Sequence, residues 1–214
     1  MPETPAPPTS EPLELTQFDE TGTEPSHWLW AARKLRRAAE LILREFGALA
    51  DLAPPGEPVA LIHLVPRKGQ TMDTDVKGYE LSPIFMMLAG LSLENVFKGV
   101  CIRRQPEIVK DGTLPKWLTS HSLTQLADRA GVPLSDAEAD LLERLHMHVM
   151  WAGRYPVPKD SKGWQLHVIL KGPHKMAKRA FWMGSDGKVF AVLFDRLAAI
   201  IEAPPATPAS PRPV

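Results

Sequence analysis

Apolar residues return at alternating steps of four and three between positions 28 and 49. Trp28, Ala32, Leu35, Ala39, Ile42, Phe46 and Leu49 make one stripe, the spacing of a helix that packs against a partner. The pattern predicts a helix over about 26–52, with Ser26 after Pro25 as its N-cap and Ala53-Pro54-Pro55-Gly56 as its stop. Arg33, Lys34, Arg36, Arg37 and Arg44 fall on the opposite, solvent side. A second pattern, over 82–104, has no polar face. Ile84, Phe85, Met86, Met87, Leu88, Leu91, Leu93, Val96, Phe97, Val100 and Ile102 surround the axis, and Pro106 ends the run. A helix apolar on nearly every side belongs in the middle of a bundle.

Shorter elements follow. Ser120 or Ser122 opens a helix carrying Leu123, Leu126, Ala127 and Ala130, closed by Gly131 and Pro133. Ser135 and Glu138 have the spacing of a capping box, and Leu134 and Ala139 that of a hydrophobic staple. Behind them Leu141, Leu142, Leu145, Val149 and Ala152 form a buried stripe. The last helix, about 186–202, aligns Val189, Leu193, Leu197 and Ile200. Two apolar runs, Val59–Val65 and Trp164–Leu170, read as strands that pair in one ribbon, marginal without the bundle as support. The fold class is mainly α: an up-and-down helical bundle of four to five helices with at most one small two-stranded ribbon.

Composition trims this picture at both ends. Residues 1–25 hold six prolines and six acids, with no Lys or Arg. Such a segment buries too little apolar surface to offset its ordering entropy, so it reads as a disordered acidic tail. Residues 203–214, with five prolines, read as a second disordered tail. The folded domain is then about 26–202, a length that suits a single core. One cysteine, Cys101, excludes an internal disulfide and points to a reducing compartment, hence the cytoplasm. No uninterrupted apolar run reaches the ~18 residues of a membrane span, so no membrane partner is expected.

Three motifs stand in order on consecutive helices. They are Leu93-Glu94-Asn95-Val96-Phe97-Lys98-Gly99, Ser120-His121-Ser122-Leu123 and Gly153-Arg154-Tyr155-Pro156. In this arrangement the chain resembles a bacterial branch of the HEPN superfamily (higher eukaryotes and prokaryotes nucleotide-binding domain) over about 82–158. The resemblance implies an up-and-down bundle, commonly a homodimer, with nucleotide or RNA as ligand and, in many members, RNA cleavage. The ribonuclease members share an Arg followed at a longer interval by a His. Here His148 follows Arg144 with three residues between. Arg144 and His148 are therefore the nearest approach to a catalytic pair, and the spacing argues for a binding module without activity. An Arg exposed to water beside an interface histidine is the structural alternative.

The other candidates are ligand-binding. Glu94 and Lys98, four apart in the favourable orientation, make an ion pair on an apolar helix. This is either a buried bridge fixing helix register or a charged site facing a groove. His121 serves as a packing residue ahead of its helix or as a ligand contact. Arg154 suits the exposed carbonyls of a helix end, and Tyr155 offers a ring to a base. Glu143 and His146 have the spacing of a di-iron ligand pair, but the set a bundle requires is incomplete. No metal and no cofactor are expected.

Net charge is zero, which hides a polarised chain. Between 154 and 188 stand eight bases, among them Lys171, Lys175, Lys178 and Arg179, against two acids. This basic lobe suits phosphates without sequence-specific DNA reading, and the acidic tail is a competitor for it. Deleting residues 1–25 is expected to raise affinity for RNA or polyphosphate at low salt. An unchanged affinity in a binding titration would discard the competition.

Overall fold

In the computed structural model the structure describes residues 13–50, 81–155 and 186–204, together with Lys159 and the two-residue strands β1 (Val168–Ile169) and β2 (Met176–Ala177). Six α-helices occur among them: α1 (Leu13–Thr23), α2 (Pro25–Ala50), α3 (Ser82–Arg104), α4 (Leu123–Arg129), α5 (Asp136–Met147) and α6 (Asp186–Glu202). A π-turn, His148–Ala152, continues α5. The chain is mainly helical and forms a bundle, as the periodicity implies.

The bundle is built on α3, which packs against α2, α4, α5 and α6. Phe85, Leu93, Val96, Phe97, Val100 and Ile102 are fully buried on it. Contacts at its two ends set the direction of each neighbour. Ser92 Oγ donates to the Ala32 carbonyl at 2.9 Å, while Gly99 lies against Trp28 and Pro25, so α2 runs antiparallel to α3. Gly90 faces Leu145 and Val149, and Gly153 faces Met87 and Pro83, so α5 is antiparallel too. Phe85 meets Phe190 edge-on at 6.2 Å, and Gly99 meets Ile201, so α6 runs with α3. The up-and-down order follows.

Small residues allow this closeness. A Cβ at Gly90 would stand 2.5 Å from Val149 Cγ2, and one at Gly99 2.8 Å from Ile201 Cδ1. Ala32, Ala39 and Ala89 are buried at the α2–α3 contact. The capping box of α5 is formed: Ser135 Oγ accepts from Glu138 N at 3.3 Å, and Glu138 Oε2 accepts from Ser135 N at 2.8 Å. Glu138 also accepts from Arg196 Nη2 at 2.8 Å, which ties α5 to α6. Gly131, at φ +60°, closes α4 in the left-handed region that glycine adopts without penalty. The buried stripe of α5 and its π-turn is the expected one.

Several expectations need correction. Leu13–Thr23, inside the segment expected to be a disordered tail, is helical. Asp19 Oδ1 accepts from Gly112 N at 3.0 Å and the Gly22 carbonyl accepts from Trp28 Nε1 at 2.9 Å, so α1 is held to the bundle by specific bonds. The N-cap of α2 is Glu24, not Ser26: its Oε1 accepts from Ser26 N at 3.0 Å, and that bond holds the Glu24 carboxyl below the usual carboxylate range. Arg36, expected in solvent, lies 4.6 Å from the Phe194 ring and pairs with Glu40 and Asp195. On α6 the deepest residues include Phe190, Phe194 and Ile201, which the expected stripe omitted. Strand β1 pairs with β2, antiparallel, with Val168 opposite Ala177; the expected partner, Val59–Val65, lies outside the described residues. So do residues 51–52 and 205–214.

By length and composition α3 could cross a membrane, yet 72% of its most apolar window is buried by the bundle. Its hydrophobicity is therefore met by neighbouring helices. A Gly90→Ala substitution tests that packing. Overpacking costs about 1–3 kcal/mol and outweighs the gain of at most about 1 kcal/mol in helix propensity. Urea unfolding is expected to show a net loss, and Val149→Ala in the same chain is expected to recover part of it.

Candidate functional site

Glu94 and Lys98 lie on consecutive turns of α3, in the layer where α4 and α5 cover it. Both are buried, at 4% and 7% exposure. Lys98 Nζ donates to Glu94 Oε1 at 2.6 Å. The second carboxylate oxygen, Oε2, stands 2.9 Å from His121 Nδ1. His121 sits in the loop before α4, where Ser120 Oγ accepts from Ser122 N at 3.1 Å and turns the chain. Its side chain is 52% exposed. One buried carboxylate thus holds an ammonium inside the bundle and an imidazole at its surface.

The geometry fixes the ring. A carboxylate oxygen accepts, so Nδ1 carries the hydrogen and Nε2 faces outward, an acceptor in the neutral ring and a donor in the protonated one. A second imidazole joins from α5: His146 Nδ1 lies 2.9 Å from the His121 carbonyl, which also accepts. Met150 and Arg154 follow His146 at four-residue steps and are exposed. Arg154 Nη2 donates to the carbonyls of Val149 and Met150 at 2.8 and 2.9 Å, the C-terminal role expected of it. Its guanidinium is 5.5 Å from the ring of Tyr155, which is 57% exposed. His121 and His146 are thus oriented by hydrogen bonds, and Arg154 and Tyr155 follow in the next turns of the chain.

The expected catalytic pair is placed elsewhere. Arg144 is 5% exposed, not solvated. It grips Asp186 through both terminal nitrogens, Nη2 to Oδ1 at 2.8 Å, and its Nε is 3.4 Å from Asp140 Oδ2. His148 is 1% exposed, and its Nδ1 is 3.0 Å from the Arg144 carbonyl. A guanidinium held by a buried carboxylate joins α5 to the start of α6 inside the bundle. Arg144 and His148 are accordingly reassigned to the core. Lys171, Lys175, Lys178 and Arg179 lie outside the described residues. Cys101 is buried, and burial pushes its thiol up to about 11, so it is a protonated hydrophobe at neutral pH and not a nucleophile. Among the described residues, no group of three or more His, Cys, Asp or Glu side chains is arranged to hold a metal ion.

Sequence reasoning paired Glu94 with Lys98 and singled out His121, but did not join His121 to that pair. It missed Asp186 as the partner of Arg144, because 42 residues separate the two and no spacing signal links them. It read His146 only as half of an incomplete metal motif. Comparison of the chain with family models, curated proteins and solved structures gives no match.

The worth of the buried pair can be measured. Glu94→Ala leaves Lys98 buried without its carboxylate, and the expected loss of unfolding free energy is about 3–5 kcal/mol. Replacing both by apolar residues, Glu94→Leu with Lys98→Met, is expected to recover most of that loss. Urea titration of the wild type, the single and the double variant measures both.

Proposed function

We propose that this protein is a HEPN-like helical binding module, not a turnover catalyst, that takes a phosphate-bearing ligand such as a nucleotide or RNA at the surface around His121. One observation carries the reading: a buried carboxylate, already paired with Lys98, spends its second oxygen on orienting a half-exposed imidazole. A buried Lys–Glu pair adds little net stability over well-packed apolar residues. Orientation of His121 is a use that an apolar pair cannot supply. His146, Arg154 and Tyr155 add hydrogen-bonding, charge and stacking on the same side of the bundle. The many bases between 154 and 188 make this the positive stretch of the chain, and long-range attraction brings the ligand to it. The HEPN resemblance adds a homodimer to the proposal, and the single cysteine adds a reducing compartment, hence the cytoplasm.

A second reading rests on the same atoms. An imidazole held by a carboxylate is the arrangement of a general base, with Nε2 positioned to accept a hydroxyl proton. A metal-independent ribonuclease would then use His121 in place of His148. Fluorescence anisotropy with labelled single-stranded RNA separates the possibilities. His121→Ala is expected to weaken binding about tenfold, the effect of losing one charge-assisted hydrogen bond, and raising the salt is expected to weaken binding further. Affinity unchanged in His121→Ala would overturn the module. RNA cleavage that survives in His148→Ala and disappears in His121→Ala would establish the ribonuclease instead.

A further inference from the structure

On another side of the bundle, α1 leans against α2 and leaves a cavity of about 540 Å³ between them, with α3 and the loop before α4 completing the wall. Phe18, Trp28, Ala31 and Leu114 give it an apolar surface, and Asn95 and His27 give it polar points. No Lys, Arg, Asp or Glu lines it among the described residues. The volume is that of a small-molecule site, and so is the composition, mostly apolar with a few polar groups. Phe18 keeps 40% of its surface open, which is uncommon for a large aromatic that already has a cavity wall beside it.

Gln17 and Thr21 complete the polar lining with groups that both donate and accept, and Asn95 and His27 each have one donor already used. Asn95 Nδ2 donates to the Leu91 carbonyl at 2.8 Å, one turn back on its own helix. That bond sets the amide, with Oδ1 as the remaining acceptor. His27 Nδ1 lies 3.3 Å from the Thr21 carbonyl, which accepts, so Nδ1 carries a hydrogen. Trp28 Nε1, the strong donor of the wall, is already used by the Gly22 carbonyl at 2.9 Å. An uncharged lining disfavours a bare phosphate or carboxylate, because an ion would be desolvated without a partner. Aromatic walls favour a flat ring. Oδ1 of Asn95 beside the aromatic wall favours a ligand that brings its own N–H or O–H.

We infer that this cavity is a binding site for a neutral, planar aromatic ligand bearing an N–H or O–H donor, separate from the His121 surface. The ring lies against Phe18 and Trp28, and the donor bonds Asn95 Oδ1. Because α1 supplies Phe18, occupancy also holds α1 to the bundle. The inference does not depend on the proposed phosphate-binding function.

Indole and 1-methylindole are suitable probes, since they differ only by the donor. Saturation-transfer NMR titration of the full chain is expected to give saturable indole binding, with 1-methylindole at least tenfold weaker. Phe18→Ala, a change at an exposed side chain, is expected to weaken indole about tenfold. Asn95→Leu is expected to bring indole down to the level of 1-methylindole, while His121→Ala leaves indole binding unchanged. Amide exchange over 13–23 is expected to slow when indole is present. Absence of saturable binding up to millimolar indole overturns the site. Equal affinity for the two probes, or indifference to Phe18→Ala, overturns the pose. Loss of RNA binding in His121→Ala with indole binding intact keeps the two sites apart.

Discussion

The helix Ser82–Arg104 cannot be left in water, and this constraint organises the rest of the molecule. It is apolar on almost every side, so burial on one face leaves others exposed. Helices α2, α4, α5 and α6 are needed to cover it. Their approach is limited by what α3 presents, and at Gly90 and Gly99 it presents no side chain at all. The neighbours fill that space with Val149, Ile201 and Trp28. Close contact adds dispersion contacts that a looser bundle lacks. The bundle thereby acquires a rigid centre against which polar groups can be held at fixed positions.

Two ion pairs use that rigidity differently. Arg144 and Asp186 satisfy each other inside the core and join α5 to α6, with Asp140 alongside. This pair is buried and links two helices of the core. Glu94 and Lys98 are also buried, but the carboxylate extends the network outward to His121. A half-exposed imidazole normally turns freely, and ordering it costs rotamer entropy. A buried partner removes that freedom before a ligand arrives, which is how a preorganised site differs from a surface histidine. The contrast between these pairs leaves His121 half-exposed at the surface and His148 buried in the core.

The first helix extends this logic to the edge of the fold. Its composition is that of a solvated tail, and by composition alone α1 would remain unfolded. Asp19 and the Gly22 carbonyl nevertheless find partners at Gly112 and Trp28. These bonds are long-range in sequence for Asp19 and close for Gly22. They position Phe18 beside the wall formed by Trp28 and leave a cavity between.

Much of the helical framework was legible in the chain. The four-and-three spacing from Trp28, the unbroken apolar run of α3, the Ser135–Glu138 box and the Gly131 stop each carry a local physical cause. Local causes act within a few residues, so they mark element type and boundaries well. The identity of Glu94, Lys98 and His121 as polar groups out of place was legible for the same reason. The Glu94–Lys98 pair was legible from its spacing as well, but the longer-range partners were not. The pairing of Glu94 with His121, of Arg144 with Asp186 and of Asp19 with Gly112 spans 27, 42 and 93 residues. Such contacts follow from the directions in which helices cross and from which side chains that crossing leaves opposite one another. Periodicity says that a helix has a buried face, but only the packed bundle decides which neighbour meets it.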